Sequence, residues 1–142
     1  MTTQIIQKNK ALFLDRDGTI NLDTGYVFDP DKVVLLEGAS DAIALARKAG
    51  FHIVIVSNQS CIGRGYTSAE MVHKTNQRVQ ELLLNENPDA IIDLTLIAPD
   101  HPDQPTNRRK PGPGMILEGA EKLCLDISSC WVIGDKNSDP ES

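Results

Sequence analysis

A doubly wound α/β fold with a parallel central sheet is predicted by three features of the sequence. Four short runs rich in valine, isoleucine and leucine alternate with segments of helical periodicity. Two of these runs are almost uninterrupted, as suits strands covered on both faces. Each run also leads into polar or charged residues, and ligands of open α/β sheets gather at the carboxyl ends of their strands.

The first strand is "ALFL" (11–14), which stops directly at Asp15, Arg16 and Asp17. Residues 21–38, "NLDTGYVFDPDKVVLLEG", carry turn signals and an apolar patch, and are expected to form a small flap over that strand's end. "GASDAIALARKAG" (38–50) has small and apolar residues at helical spacing and ends on Gly50, a good terminator. "HIVIV" (52–56) is the second strand. The clearest helix is "TSAEMVHKTNQRVQELLLNENP" (67–88), with Thr67 and Glu70 in a capping-box pattern. Val72, Thr75, Val79, Leu82 and Leu83 share one face of it. "AIIDLTLI" (90–97) is the third strand, and the proline-rich segment 98–114 is a loop. A last helix is predicted from Pro113 to Cys124, with Ile116, Leu117, Ala120 and Leu123 inward. "CWVI" (130–133) closes the series, with Trp131 expected in the core and His52 and His73 structural or on the surface.

Composition narrows the function classes. The 142 residues suffice for one domain with a real core. The net charge of −6 argues against a nucleic-acid partner, which needs a basic footprint, but leaves room for a locally positive pocket. Cys61, Cys124 and Cys130 follow no metal-site spacing, and their odd number does not suggest a disulfide framework. No long apolar stretch resembles a signal peptide or a membrane span. A soluble, unprocessed, cytoplasmic protein without a membrane partner is therefore expected; the oligomeric state is not legible.

The chemistry lies at the strand ends. Parallel strands should bring Asp15 and Asp17, then Ser57, Asn58 and Gln59, then Arg108, Arg109 and Lys110, then Asp135 and Lys136 to one edge. Two carboxylates about 4 Å apart repel by about 4 kcal/mol at an effective dielectric near 20. A divalent cation held by Asp15, Asp17 and Asp135 would relieve this, and oxygen donors favour Mg²⁺. Asp15 is then the candidate nucleophile toward phosphorus, and Asp17 the candidate general acid and base. Ser57 and Lys110 are candidates for binding the transferring group.

The segments "DRDGTIN", "VSNQS", "RKPGPGM" and "GDKNSD" resemble the haloacid dehalogenase-like (HAD) phosphatases over nearly all of residues 10–139. Within them, "DTGYV" and "SNQSCIGRG" are similar to the branch of heptose bisphosphate and histidinol-phosphate phosphatases. The resemblance implies a three-layer α/β/α Rossmannoid sheet and hydrolysis through an aspartyl-phosphate. The spacing leaves no room for a large cap, because segments 21–38 and 57–110 are accounted for by a flap, one helix, one strand and one loop, so the domain is expected to be capless. It implies Mg²⁺ on Asp15, on the backbone carbonyl of Asp17 and on Asp135. It also implies a substrate surrounded by Asp23, Thr24, Gly25, Tyr26, Ser57, Asn58, Gln59, Ser60, Arg109, Lys110 and Lys136. The expected partner is a small phosphorylated metabolite, a sugar bisphosphate: D-glycero-D-manno-heptose 1,7-bisphosphate, with a role in surface-polysaccharide synthesis.

Three departures accompany the resemblance. Where many relatives carry zinc ligands, this chain has Ala98, Asp100, Thr106 and Arg108, so no structural zinc is expected. Prolines 99, 102, 105, 111 and 113 are expected to stiffen that loop instead. Cys61 stands where relatives usually have glycine, a strained choice if the position needs positive φ. The single domain, residues 1–142, is expected to be short at its C-terminal end, because relatives continue well past the position of Asp135. Histidinol phosphate is the alternative substrate, and a catalytically weak binding or scaffold domain the alternative of another class.

Overall fold

The computed structural model describes residues 8–134. Four parallel strands form one sheet in the order β3-β2-β1-β4: β1 Lys10–Leu14, β2 Phe51–Asn58, β3 Leu94–Ala98 and β4 Trp131–Ile133. β1 runs beside β2 with Lys10 opposite Phe51 and Leu14 opposite Ile55. On its other side Leu12 faces Trp131 and Leu14 faces Ile133. The helices are α1 Ala39–Lys48, α2 Ser60–Gly63, α3 Ala69–Glu86 and α4 Gly114–Leu123.

Side chains alternate across a strand, so β1 and β2 feed two cores at once. Leu14, Ile53 and Ile55 join Ile43 of α1 and Val79 and Leu83 of α3 on one face. Phe13, Val54, Val56 and Leu96 join Met115 of α4 on the other. The result is the three-layer α/β/α arrangement of a doubly wound fold. Phe13 is fully buried, and α4 comes close to it at Gly119, where a Cβ would lie 3.0 Å from the ring. Truncating Phe13 to alanine would cost about 3–5 kcal/mol in lost burial and cavity formation. Between β1 and α1 the flap contains one short helical turn, Pro30–Lys32. Neither it nor the other connections among the described residues is long enough for a separate cap.

Local signals explain most element ends. Gly50 takes φ 92° just beyond α1, and Val72, Thr75, Val79 and Leu83 form the buried stripe of α3. The cap of α3 is one residue later than expected: the Ser68 hydroxyl, rather than that of Thr67, accepts from the Met71 amide. Residues 90–93 turn into β3 rather than extending it, because Asp93 reaches back to the Ile53 amide. Of the predicted inward stripe of α4, Ile116, Ala120 and Leu123 pack against the second core beside the buried Met115 and Gly119, whereas Leu117 is 51% exposed. Trp131 is 66% exposed rather than in the core, because among the described residues β4 is a sheet edge. No helix among the described residues is long and apolar enough to cross a membrane.

Candidate active site

The parallel arrangement points the carboxyl ends of β1, β2 and β3 the same way. At the end of β1 the chain turns sharply. The Arg16 carbonyl accepts from the amides of Thr19, Ile20 and Asn21, and Gly18 takes φ 85°, a conformation that costs a residue without Cβ little. This turn presents Asp15 and Asp17 as buried carboxylates, only 5% and 8% exposed.

Each of these aspartates faces a cation supplied by the chain. The Lys110 ammonium lies 3.4 Å from Asp15 Oδ1, which also accepts from the Arg16 amide. Arg16, completely buried, donates from Nε to Asp17 Oδ1 at 2.8 Å and from Nη2 to Asp17 Oδ2 at 3.3 Å. Asn21 adds a third bond to Asp17. The repulsion implicit in the sequence Asp-Arg-Asp is therefore offset locally by two protein cations. From the sequence alone, that task falls to a bound metal.

Lys110 arrives from a distant segment and is held by Asn58. The Asn58 side-chain amide accepts from Lys110 N at 2.9 Å and donates to Lys110 O at 3.1 Å, so it reads the backbone of a residue 52 positions away. The adjoining Lys110–Pro111 peptide is cis. Ser57 is buried and accepts from Gln59 Nε2 at 2.7 Å; the same amide group lies 3.5 Å from Asp17 Oδ2. Asn58 and Gln59, both expected to surround a substrate, thus spend their side chains on Lys110, Ser57 and Asp17. Ser60 opens α2 and accepts from Arg64. Arg109 reaches the Asp100 carbonyl at 3.5 Å.

The flap residues Asp23, Thr24, Gly25 and Tyr26 are exposed, with the Asp23 carboxylate accepting from the Gly25 amide. Tyr26 meets Tyr66 edge-to-face, ring centres 5.2 Å apart, a contact that joins the flap to the segment after α2. Asp135 and Lys136, predicted at the end of the fourth strand, lie outside the described residues.

The loop between β3 and α4 is tied by polar bonds. Asp100 Oδ2 accepts from both the amide and the hydroxyl of Thr106, and these bonds hold its carboxyl below the usual range. Arg108 donates from Nε to the Ile97 carbonyl and pairs with Glu118 of α4 at 2.7 Å, which lowers the Glu118 carboxyl. Gly63 of α2 packs against the loop so closely that a Cβ would lie 2.5 Å from His101 N. Three of the positions aligned with zinc ligands thus form protein contacts instead. Cys61 is buried in α2 and is not among the residues with positive φ; burial pushes its thiol up despite the nearby Arg16.

Among the described residues no group of three or more His, Cys, Asp or Glu is gathered for a metal. The Asp15 carboxylate and the Asp17 carbonyl are nevertheless an oxygen-only donor pair at a strand end, chemistry that fits Mg²⁺ rather than a soft ion. The Asp17 carboxylate, already taken by Arg16 and Asn21, is the less suited donor.

Arg16, Asn21, Asn76 and Tyr66 were not singled out from the sequence. Only Arg16 carried a signal, its place between two carboxylates.

No protein-family model matches the chain. It is 43% identical over 141 residues to a D-glycero-beta-D-manno-heptose-1,7-bisphosphate 7-phosphatase of Mesorhizobium japonicum, covering 93% of this chain and 63% of that protein. It is 40% identical to the D-glycero-alpha-D-manno-heptose-1,7-bisphosphate 7-phosphatase of Burkholderia mallei, covering 93% and 72%. The chain therefore spans roughly two thirds of the length of these curated relatives. Among solved structures, a HAD-like phosphatase from Mesorhizobium loti superposes with TM-score 0.87 at 39% identity, over 98% of this chain and 69% of that one. The D,D-heptose 1,7-bisphosphate phosphatase from B. bronchiseptica, complexed with magnesium and phosphate, superposes with TM-score 0.74 at 29% identity, over 83% and 65%. On this similarity the chain belongs to the HAD-like phosphatases, in the family of the D-glycero-D-manno-heptose 1,7-bisphosphate 7-phosphatases.

Proposed function

We propose that the chain hydrolyses a phosphate monoester of a small sugar bisphosphate, D-glycero-D-manno-heptose 1,7-bisphosphate, at the 7-position. The observation that carries this reading is the buried pairing of Asp15 with Lys110 at 3.4 Å, beside Ser57 and Asp17 at the mouth of a parallel sheet. The names of the relatives support the substrate; they divide between β and α anomers, and we assign neither.

In this reading an Asp15 carboxylate oxygen attacks phosphorus, and the bond from phosphorus to the sugar oxygen breaks. Asp17 gives its proton to that leaving oxygen. Asp17 then takes a proton from water, the water oxygen bonds to phosphorus, the bond to Asp15 breaks, and phosphate leaves. The Ser57 hydroxyl and the Lys110 ammonium hold the phosphoryl oxygens throughout, stabilising the charge that develops there. Mg²⁺, bound by the Asp15 carboxylate, the Asp17 carbonyl and Asp135, would supply charge neutralisation between nucleophile and phosphate.

Phosphate release from heptose bisphosphate and from histidinol phosphate, with Mg²⁺ and with EDTA, tests this. Mg²⁺-dependent release is expected, with the higher kcat/KM for the heptose compound and only background in Asp15→Asn. Release that survives Asp15→Asn overturns the mechanism. A reversed preference overturns the substrate alone.

A further inference from the structure

Arg16 is a fully buried guanidinium whose contacts span four separate parts of the chain. Besides the fork to Asp17, Nη1 donates to Asn76 Oδ1 of α3 at 2.7 Å. Nη2 donates to the Val27 carbonyl of the flap at 2.5 Å and approaches Gln59 Oε1 at 3.4 Å. Gln59 in turn holds the Ser57 hydroxyl. A buried cation is costly to desolvate unless its donors are met, and here Nε, Nη1 and Nη2 all find oxygen acceptors. Only a planar fork can take both oxygens of one carboxylate while reaching two other elements; a lysine ammonium is a single point.

Resting on the phosphatase reading above, we propose that Arg16 is the positioning residue for Asp17. It fixes the orientation from which Asp17 delivers a proton to the leaving oxygen, and its bonds to Asn76 and Val27 make that orientation depend on α3 and on the seated flap. The role concerns geometry at the leaving group, so its loss should be felt where the leaving oxygen needs a proton and little where it does not.

Two measurements separate these cases. Turnover of a sugar phosphate, whose alkoxide leaving group requires a proton, is compared with the pre-steady-state burst of nitrophenolate from p-nitrophenyl phosphate, whose leaving group does not. Arg16→Met is expected to slow sugar-phosphate turnover about 30- to 100-fold and the burst less than about 5-fold, the same split that is expected of Asp17→Asn. Arg16→Lys should resemble Arg16→Met. Asn76→Ala removes one contact of the guanidinium and is expected to show the same split at about 3- to 10-fold; it decides the matter if thermal melting shows Arg16→Met unfolded. An active wild type whose variants slow both reactions by the same factor overturns the positioning role and leaves the phosphatase reading standing. A wild type without Mg²⁺-dependent phosphate release overturns the phosphatase reading, and this role with it.

Discussion

Replacing Lys110 by methionine removes the cation beside the proposed nucleophile while keeping the volume of the side chain. The two charges lie 3.4 Å apart with side chains 5% and 6% exposed, so solvent screens them little. Their direct attraction is about 5 kcal/mol at an effective dielectric of 20. Desolvation cancels part of that sum when the pair forms, but it is not recovered when one partner is deleted. Lys110→Met is therefore expected to destabilise the fold by about 3–5 kcal/mol, because it takes the neighbouring cation away from a buried carboxylate. Asp15→Asn in the same background removes the charge of that carboxylate. The double-mutant cycle, measured by urea unfolding in EDTA, should give a coupling of about 2–3 kcal/mol. Activity at saturating Mg²⁺ should fall about 100- to 1000-fold in Lys110→Met, the usual loss for one donor to a developing oxyanion. A coupling below about 0.5 kcal/mol would refute the electrostatic reading of the pair. Strong coupling with unchanged kcat/KM would show that Lys110 braces Asp15 without touching the phosphoryl group.

Asp93 links three elements, accepting from the Ile53 amide at 2.7 Å and from Arg47 at 2.5 Å, with His52 at 3.5 Å. Burial pushes its carboxyl up, but those donors together hold it below the usual range. A depressed carboxylate stabilises the fold above its unfolded pKa of about 3.9, and that contribution is lost as pH falls through the lower folded value. Asp93→Asn should therefore cost about 2 kcal/mol at pH 7, with the gap from wild type closing below about pH 4 in urea melts; a gap constant with pH would contradict this. Gly63→Ala would put a Cβ 2.5 Å from His101 N and 2.6 Å from Pro99 O, both backbone atoms that can yield only by moving the loop. A loss of about 1–3 kcal/mol is expected, and an unchanged melting temperature would show that α2 and the loop separate freely.

The sequence by itself determined whatever depends on neighbours along the chain. Alternation of branched apolar runs with 3.6-residue periodicity sufficed for a parallel sheet between helices, since each strand had to be covered on both faces. The Asp-Arg-Asp-Gly turn was legible because Gly18 supplies a backbone conformation that lets the chain reverse at a strand end. Tertiary structure alone decided the rest. Asn58 gives its amide to the backbone of Lys110, and Arg16 finds Asn76 sixty residues away; no local pattern encodes such pairings, because they arise only when separate strand ends are packed side by side. Trp131 reads as core by composition, yet its exposure follows from the position of β4 in the sheet, which hydropathy along a strand does not specify.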